Sequence, residues 1–442
     1  MGLYLPLLVL SACGSPEPLV PETPPRPAAP PTLLLLTLDT TRADALGAYG
    51  APASATPVLD RLAADGVRFA RAFTHAPSTQ SAHASLFTGL DPHGHGVPFN
   101  GRALDLGHET LAERLAQAGW TTQGVVAAAV LGRNLGMDQG FALYDDDFVA
   151  DGPEDRAHDV TARALRAAQQ APPDQPLFLW VHYFDPHHPY EPADSAGGAT
   201  ADTMRAALGH KGLDTADLPA LRALYAAEVL AMDTAIGTLL AGLAELGRLE
   251  EASIVVAGDH GEAFGEDPDR PFLHGPDVDP FATQVPLIVS GRGSLAPQPG
   301  VVAQAVALSE VPTLALGVLG LAPGLGPGRD LTPALGGAAL VDVPILLEAT
   351  KPRRELTDGG WNNLGNERGV IEGDWILMER TEAQQPPVLW RIGPPLAQVQ
   401  DPTRHDALLQ TLRAWDQAAP SAQGSTADEV KPALEALGYL EP

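Results

Sequence analysis

The chain has 442 residues, 45% of them hydrophobic, with a single cysteine and a formal net charge of −28. That length suits one large α/β domain with a small second domain rather than a string of modules, and a lone cysteine excludes an intrachain disulfide. The charge argues against binding nucleic-acid backbones and against docking on an anionic lipid surface through basic patches.

At the N-terminus the short apolar run Leu5-Pro6-Leu7-Leu8-Val9-Leu10 leads into Ser11-Ala12-Cys13, a pattern similar to a bacterial lipobox. Residues 1–13 are expected to form a lipoprotein signal peptide with Cys13 as the lipidated residue. The plainer reading is a short buried segment with an incidental cysteine, supported by the lack of Lys or Arg before the run. Residues 14–31, crowded with prolines, fit an extended tether. The expected location is the bacterial cell envelope, with the membrane touched through the lipid anchor only. No uninterrupted 20-residue apolar span appears, so no membrane-crossing helix is expected.

Leu33-Leu34-Leu35-Leu36-Thr37-Leu38 reads as a buried strand that runs into Asp39. Thr56 and Pro57 open a helix ended by Gly66, and Thr79 begins a helix-compatible run through Leu86. Thr110 and Glu113 have capping-box spacing and precede a strand through Val125 and Val126. A helix near residues 156–170 leads to Leu177-Phe178-Leu179-Trp180-Val181, followed by His182, Asp185, His187 and His188. A long Ala/Leu helix, about residues 216–246, precedes Ile254-Val255-Val256-Ala257-Gly258 and then Asp259-His260. This alternation predicts a mostly parallel sheet sandwiched by helices. Three of its strands end in polar residues, at the edge where open α/β sheets bind ligands. From about Pro344 the pattern turns to hairpins, then to helices near residues 405–418 and 427–437, so residues 32–343 are expected as the catalytic domain and 344–442 as a small antiparallel α+β subdomain.

A series of segments, in order, carries a family likeness: Asp39-Thr40-Thr41-Arg42-Ala43-Asp44, Thr56-Pro57-Val58-Leu59-Asp60, Ser85-Leu86-Phe87-Thr88-Gly89, Asp185-Pro186-His187, Asp259-His260-Gly261-Glu262, His274-Gly275 and Val285-Pro286-Leu287-Ile288-Val289. With them the chain resembles the sulfatase family of the alkaline phosphatase superfamily over most residues after about position 32. The likeness implies an alkaline-phosphatase-like α/β fold, a bound divalent metal ion and hydrolysis of an anionic ester. Sulfate-cleaving members carry, six residues before the position of Ser85, a Cys or Ser that is oxidised to formylglycine. Here that position is Thr79, which would not yield the aldehyde. The segment Thr79-Gln80-Ser81-Ala82-His83 instead resembles superfamily phosphodiesterases and phosphoethanolamine transferases, in which an unmodified Thr attacks a phosphoryl group. The paired Asp of sulfate-cleaving members is Asp39-Thr40 here, with one potential hard-metal ligand fewer.

For Thr79 the bland reading is a helix N-cap. The family context favours a nucleophile, activated at the positive end of a helix and by a metal ion. Asp39, Asp259 and His260, with the Thr79 oxygen as fourth contact, form the expected metal site, and one imidazole among oxygens suits Zn or Mn better than Ca. His187 and His274 match family positions that contact the ester or protonate the leaving group; with Asp185 they are alternatively ligands of a second metal. His83, four residues after Thr79, is either a donor to a nonbridging oxygen or a helix-surface residue. His93 and His95 are read as shaping a turn, and Arg42 and Asp44 as a structural pair. The expected substrate is an anionic ester of a small molecule, glycan or lipid headgroup, cleaved or transferred as a phosphoryl group; the alternatives are a sulfuric ester hydrolase and a catalytically weak protein that binds anionic glycans or headgroups.

Overall fold

The computed structural model describes Met1 and residues 30–53, 55–147, 156–190, 215–267, 270–275, 277–350, 367–380, 386–393 and 396–418. Cys13, all of residues 14–29 of the expected tether and the expected helix at 427–437 lie outside the described residues.

The strands of the main sheet are β1 (Thr32–Leu38), β2 (Val67–Phe73), β3 (Thr121–Val125), β4 (Leu143–Asp145), β5 (Leu177–Tyr183) and β6 (Ala252–Gly258). After a two-stranded hairpin, β7 (Ala263–Asp267) and β8 (Arg270–Leu273), come β9 (Gln284–Gly291) and β10 (Gly300–Ala307). The eight-stranded order is β10-β2-β9-β6-β1-β5-β3-β4. All neighbours run parallel except β9, which is antiparallel to both β2 and β6. β1, β5 and β6 are buried along their whole length, as a sheet covered on both faces requires, and this explains their unbroken apolar runs.

The helices are α1 (Pro57–Asp65), α2 (Thr79–Thr88), α3 (Pro92–His95), α4 (Leu111–Gln117), α5 (Ala157–Gln170), α6 (Leu218–Glu245), α7 (Pro280–Thr283), α8 (Val311–Val318) and α9 (Pro402–Ala418). α4 carries the expected capping box, with Glu113 N donating to Thr110 Oγ1 at 3.2 Å and Thr110 N to Glu113 Oε2 at 2.9 Å. α1 starts with Pro57 as read, but Thr56 does not cap it through its side chain. The cap comes from α6: buried Asp233 accepts from Val58 N at 3.0 Å and Leu59 N at 2.8 Å. Against the expectation from sequence, α6 is long and apolar enough to cross a membrane by length and composition. Its sequence includes Arg222, Glu228 and Asp233, and the last two are buried. Together with Leu221, Tyr225, Val229, Met232 and Ile236, they mark a face packed into the protein.

The C-terminal strands β11 (Ile345–Ala349), β12 (Glu367–Glu372), β13 (Trp375–Arg380), β14 (Val388–Arg391) and β15 (Ala397–Gln398) form a separate five-stranded antiparallel sheet. One face packs Ile345, Leu347, Ile371 and Ile376 against Phe73, Ala305 and Ala307 of the main sheet. The other is covered by α9 through Leu408 and Leu412, which meet Val370, Leu377 and Leu389. The fold is therefore the expected sandwiched, mostly parallel sheet with a small antiparallel unit after it.

Candidate active site

β1 pairs with β5 and β6 in one register, so that Leu38 lies opposite both Tyr183 and Gly258. The next residue of β1 is Asp39 and the next of β6 is Asp259, so strand pairing alone sets the two carboxylates side by side. Asp39 N continues the ladder onto Tyr183 O at 2.9 Å, and Asp259 N onto Leu38 O at 3.2 Å. The chain then turns sharply at Thr40, the one non-glycine described with positive φ, at 44°. A β-branched residue in the left-handed region costs about 1–3 kcal/mol and persists only when its surroundings hold it there. Two contacts do so. Thr40 N donates to Asp259 Oδ1 at 3.1 Å, and Tyr225 of α6 donates to Thr40 O at 2.9 Å while accepting from Arg42 N at 2.9 Å.

Asp259 Oδ1 also accepts from His260 N at 2.6 Å. His260 Nδ1 lies 3.1 Å from Gly261 O; a carbonyl can only accept, so the ring proton sits on Nδ1 and the Nε2 lone pair is available. That lone pair faces Thr79 Oγ1 at 3.3 Å, with Asp259 Oδ2 at 3.7 Å and Asp39 Oδ1 at 3.9 Å. Gly261 is required by space, since a Cβ there would lie 2.1 Å from Phe281 O.

Thr79 is the first residue of α2, after Ser78, so it is not the N-cap. The capping oxygen comes from Asn100, whose Oδ1 accepts from Gln80 N and Ser78 Oγ, both at 2.8 Å. All ten residues of α2 are buried.

Asp39, Asp259 and His260 each place one ligand atom within 4.8 Å of the others. Burial and nearby carboxylates push both aspartates well above the usual carboxylate range, with Asp39 charge acting on Asp259 and Glu262 charge on Asp39. Asp39 Oδ1 and Asp259 Oδ2 are buried with no hydrogen-bond partner. Two close buried carboxylates with unsatisfied oxygens and an imidazole lone pair beside them have the donor chemistry of a divalent cation site, so a metal ion fits here.

Sequence reading assigned no role to several neighbours that shape the site. His182 accepts at Nδ1 from Ala127 N at 3.4 Å and therefore donates from Nε2 to Asp39 Oδ2 at 3.2 Å, orienting that carboxylate. Buried Glu262 gathers His274 Nδ1 at 3.3 Å, Tyr190 Oη at 3.3 Å and His188 Nδ1 at 3.9 Å, and burial raises its carboxyl to about 7. The signals were present in the strand-end positions of His182 and Glu262, but nothing in sequence shows a second layer of partners. Asn100 gave no signal at all.

His187, His188 and His274 bring ring nitrogens within 4.8 Å of one another, and His274 lies tilted beside His260 with ring centres 4.4 Å apart. Asp185 does not join them in any ligand group found among the described residues. Its Oδ1 accepts from Ala157 N at 3.0 Å at the start of α5, and its Oδ2 is buried with no hydrogen-bond partner. His83 also differs from expectation. It is fully buried, donates from Nδ1 to Thr79 O at 2.7 Å and accepts at Nε2 from Thr37 Oγ1 at 2.9 Å, so both nitrogens serve the protein and neither reaches for a substrate oxygen. Arg42 and Asp44 form the expected pair, with two parallel bonds of 2.7 Å. His95 closes the α3 turn on Ser85 Oγ at 3.0 Å, and His93 stacks on Trp415 at 3.5 Å and lies 2.9 Å from Glu348, tying the two units together. A cavity of about 1410 Å³ between β2, β9 and the small sheet is lined by Arg68, Arg71, Gln284 and Trp390, and not by Thr79, Asp39 or Asp259.

A model of the Sulfatase family matches residues 31–321. The chain belongs to the Sulfatase family. This member is 22% identical over 312 residues to an arylsulfatase of Clostridium perfringens, covering 53% of this chain and 64% of that protein. It is 27% identical over 293 residues to human arylsulfatase A, covering 53% and 52%. The chain thus spans about half the length of the curated relatives it matches. Its fold is also that of the phosphonate monoester hydrolase of Agrobacterium radiobacter, with TM-score 0.68, 21% identity and coverage of 87% of this chain and 96% of that one. The curated relatives it matches are named as sulfatases, and the structural neighbours include phosphonate monoester hydrolases.

Proposed function

We propose that this sulfatase-family enzyme cleaves phosphate mono- or diesters, or transfers the phosphoryl group to another alcohol, with Thr79 as its nucleophile. The observation that carries the reading is the placement of an unmodified hydroxyl at the first residue of α2, 3.3 Å from His260 Nε2 and against the Asp39–Asp259 pair. A divalent ion held by Asp39, Asp259, His260 and Thr79 Oγ1, Zn or Mn in preference to Ca, would lower the pKa of the hydroxyl and offset phosphoryl charge. Thr79 Oγ, its proton released to solvent, bonds to phosphorus as the ester P–O bond breaks, and the departing alkoxide takes a proton to leave as the alcohol. Water later cleaves the Thr79–phosphate bond, or a second alcohol accepts the group. His187 and His274, beside this group, are the residues proposed to contact the ester and handle the leaving-group proton. Asn100 holds its amide oxygen on the helix and leaves Nδ2, buried and unpartnered, as a donor for a nonbridging oxygen.

Sulfate-ester hydrolysis, the activity named for the curated relatives, is the alternative. It needs an aldehyde that threonine does not give. Wild-type and Thr79→Ala rates on one aryl phosphodiester test the proposal: the variant should retain metal and lose at least about 10³-fold in turnover. Equal rates would overturn it, and detection of formylglycine by mass spectrometry would favour the alternative. A second reading places another cation at His187, His188 and His274, on the strength of their converging nitrogens; two metal ions per chain by elemental analysis would support it. We further propose envelope localisation through lipidated Cys13, which the motif Leu10-Ser11-Ala12-Cys13 supports and which radiolabelled-palmitate incorporation, lost in Cys13→Ser, would test.

A further inference from the structure

Arg102 is 3% exposed, yet its Nε and Nη2 have no hydrogen-bond partner among the described residues. Arginine does not shed its proton in proteins, so burial cannot be relieved by neutralisation. An unpaired buried charge costs several kcal/mol unless something compensates it. Scarcity of acids does not explain the omission, because the chain has 55 Asp and Glu against 27 Lys and Arg. The same edge of Arg42 shows what a structural guanidinium does in this protein: Nε and Nη2 clasp Asp44 through two bonds of 2.7 Å.

The backbone that carries Arg102 is clamped to the first turn of α2. Gln80 Nε2 donates to Arg102 O at 2.5 Å, Gly101 N donates to Gln80 Oε1 at 2.7 Å, and Asn100 caps Gln80 N at 2.8 Å. Two further buried donors in the same region, Asn100 Nδ2 and Ser81 Oγ, are also without partners. Buried donors are satisfied in the large majority of native structures. Three residues with unsatisfied buried donors, each on the first turn of α2 or clamped to it and one of them permanently cationic, have the chemistry of an anion receptor.

We infer that Arg102 is an oxyanion-binding residue of the substrate site, whose Nε–Nη2 edge takes two oxygens of a phosphate, sulfate or carboxylate group on the ester. A guanidinium fork matches such a group bidentately, whereas a lysine would offer only a point charge. The inference rests on the Thr79 region being the active site, and it names a residue that selects esters by their charge. The oxyanion comes either from the group being cleaved or from a second anionic group on the substrate.

The test uses the full chain as purified and inorganic phosphate as the probe. In the absence of phosphate, Arg102→Met should melt at the same or a higher temperature than wild type, because it removes an unpaired buried charge. Phosphate affinity, read by titration calorimetry, should fall at least about tenfold in Arg102→Met and in Arg102→Gln, and Arg102→Lys should recover only part of it. Phenyl phosphate and 4-carboxyphenyl phosphate separate the two sources. An equal loss of kcat/KM on both assigns Arg102 to the cleaved group, and a loss concentrated on the carboxylated ester assigns it to a second anion. Unchanged phosphate affinity in both the Met and Gln variants would overturn the inference. Thr79→Ala keeps the two readings apart: it should bind phosphate with the same dependence on Arg102 whether or not it retains turnover.

Discussion

Replacing Asp259 by Asn separates the metal-binding role of this carboxylate from its structural one. Asp259 Oδ1 accepts from Thr40 N at 3.1 Å and from His260 N at 2.6 Å, and an amide oxygen can keep both bonds. Oδ2, buried and unpartnered, becomes an NH₂ group that cannot ligate a cation. The substitution also removes the repulsion between Asp39 and Asp259, so the metal-free variant should be no less stable than metal-free wild type. Wild type should gain from metal by linkage: at a thousandfold excess over Kd, about 4 kcal/mol. For 442 residues, an unfolding entropy of about 2.1 cal/mol/K per residue converts this to a rise in Tm of about 4 °C. Calorimetry with and without Mn or Zn, beside elemental analysis, should show that shift and about one ion per chain in wild type, and neither in Asp259→Asn. A variant that binds the same amount of metal with the same shift would refute the assignment of Asp39, Asp259 and His260 as ligands.

Tyr225→Phe removes the hydroxyl that bridges Thr40 O and Arg42 N; the strained turn should loosen, weakening metal affinity several-fold at a stability cost of about 1–2 kcal/mol, and unchanged affinity in a metal titration would remove Tyr225 from the positioning network. Asp233→Ala takes the cap from Val58 N and Leu59 N and should cost about 1–2 kcal/mol, seen as a Tm lowered by about 1–2 °C with metal content intact; a loss of metal instead would mean that α1 reports on the site directly.

The strands and helices were legible because burial imposes one periodicity at a time. β1, β5 and β6 are covered on both faces and read as continuous apolar runs, and α4 declares its start with Thr110 and Glu113. The metal-ligand candidates were legible for the same reason, since Asp39 and Asp259 sit one residue past strands whose register then brings them together. What escaped notice depends on contacts across large sequence distances. Asn100 caps a helix 20 residues earlier, and Asp233 caps one 174 residues away. Asp185 and His83 carry family-like spacing, yet Asp185 Oδ1 is spent on Ala157 N, and the His83 ring on Thr79 O and Thr37 Oγ1. Spacing identifies which side chains can approach a site, but the competing demand of unsatisfied backbone groups decides which of them remain available to a substrate.

That competition also explains why the site must be held so firmly. Asp39 is oriented by His182, Asp259 by two backbone amides, and Thr79 O by His83, so every group around the hydroxyl is fixed by a partner that is itself buried. Without a cation the pair of carboxylates repels, and the positive φ at Thr40 adds strain. Stability lost at these points is recovered in the all-buried β1, β5 and β6 beneath them. The proposed nucleophile, a weak one, gains most where its neighbours are held in place in this way, because the entropy of alignment is already spent in folding.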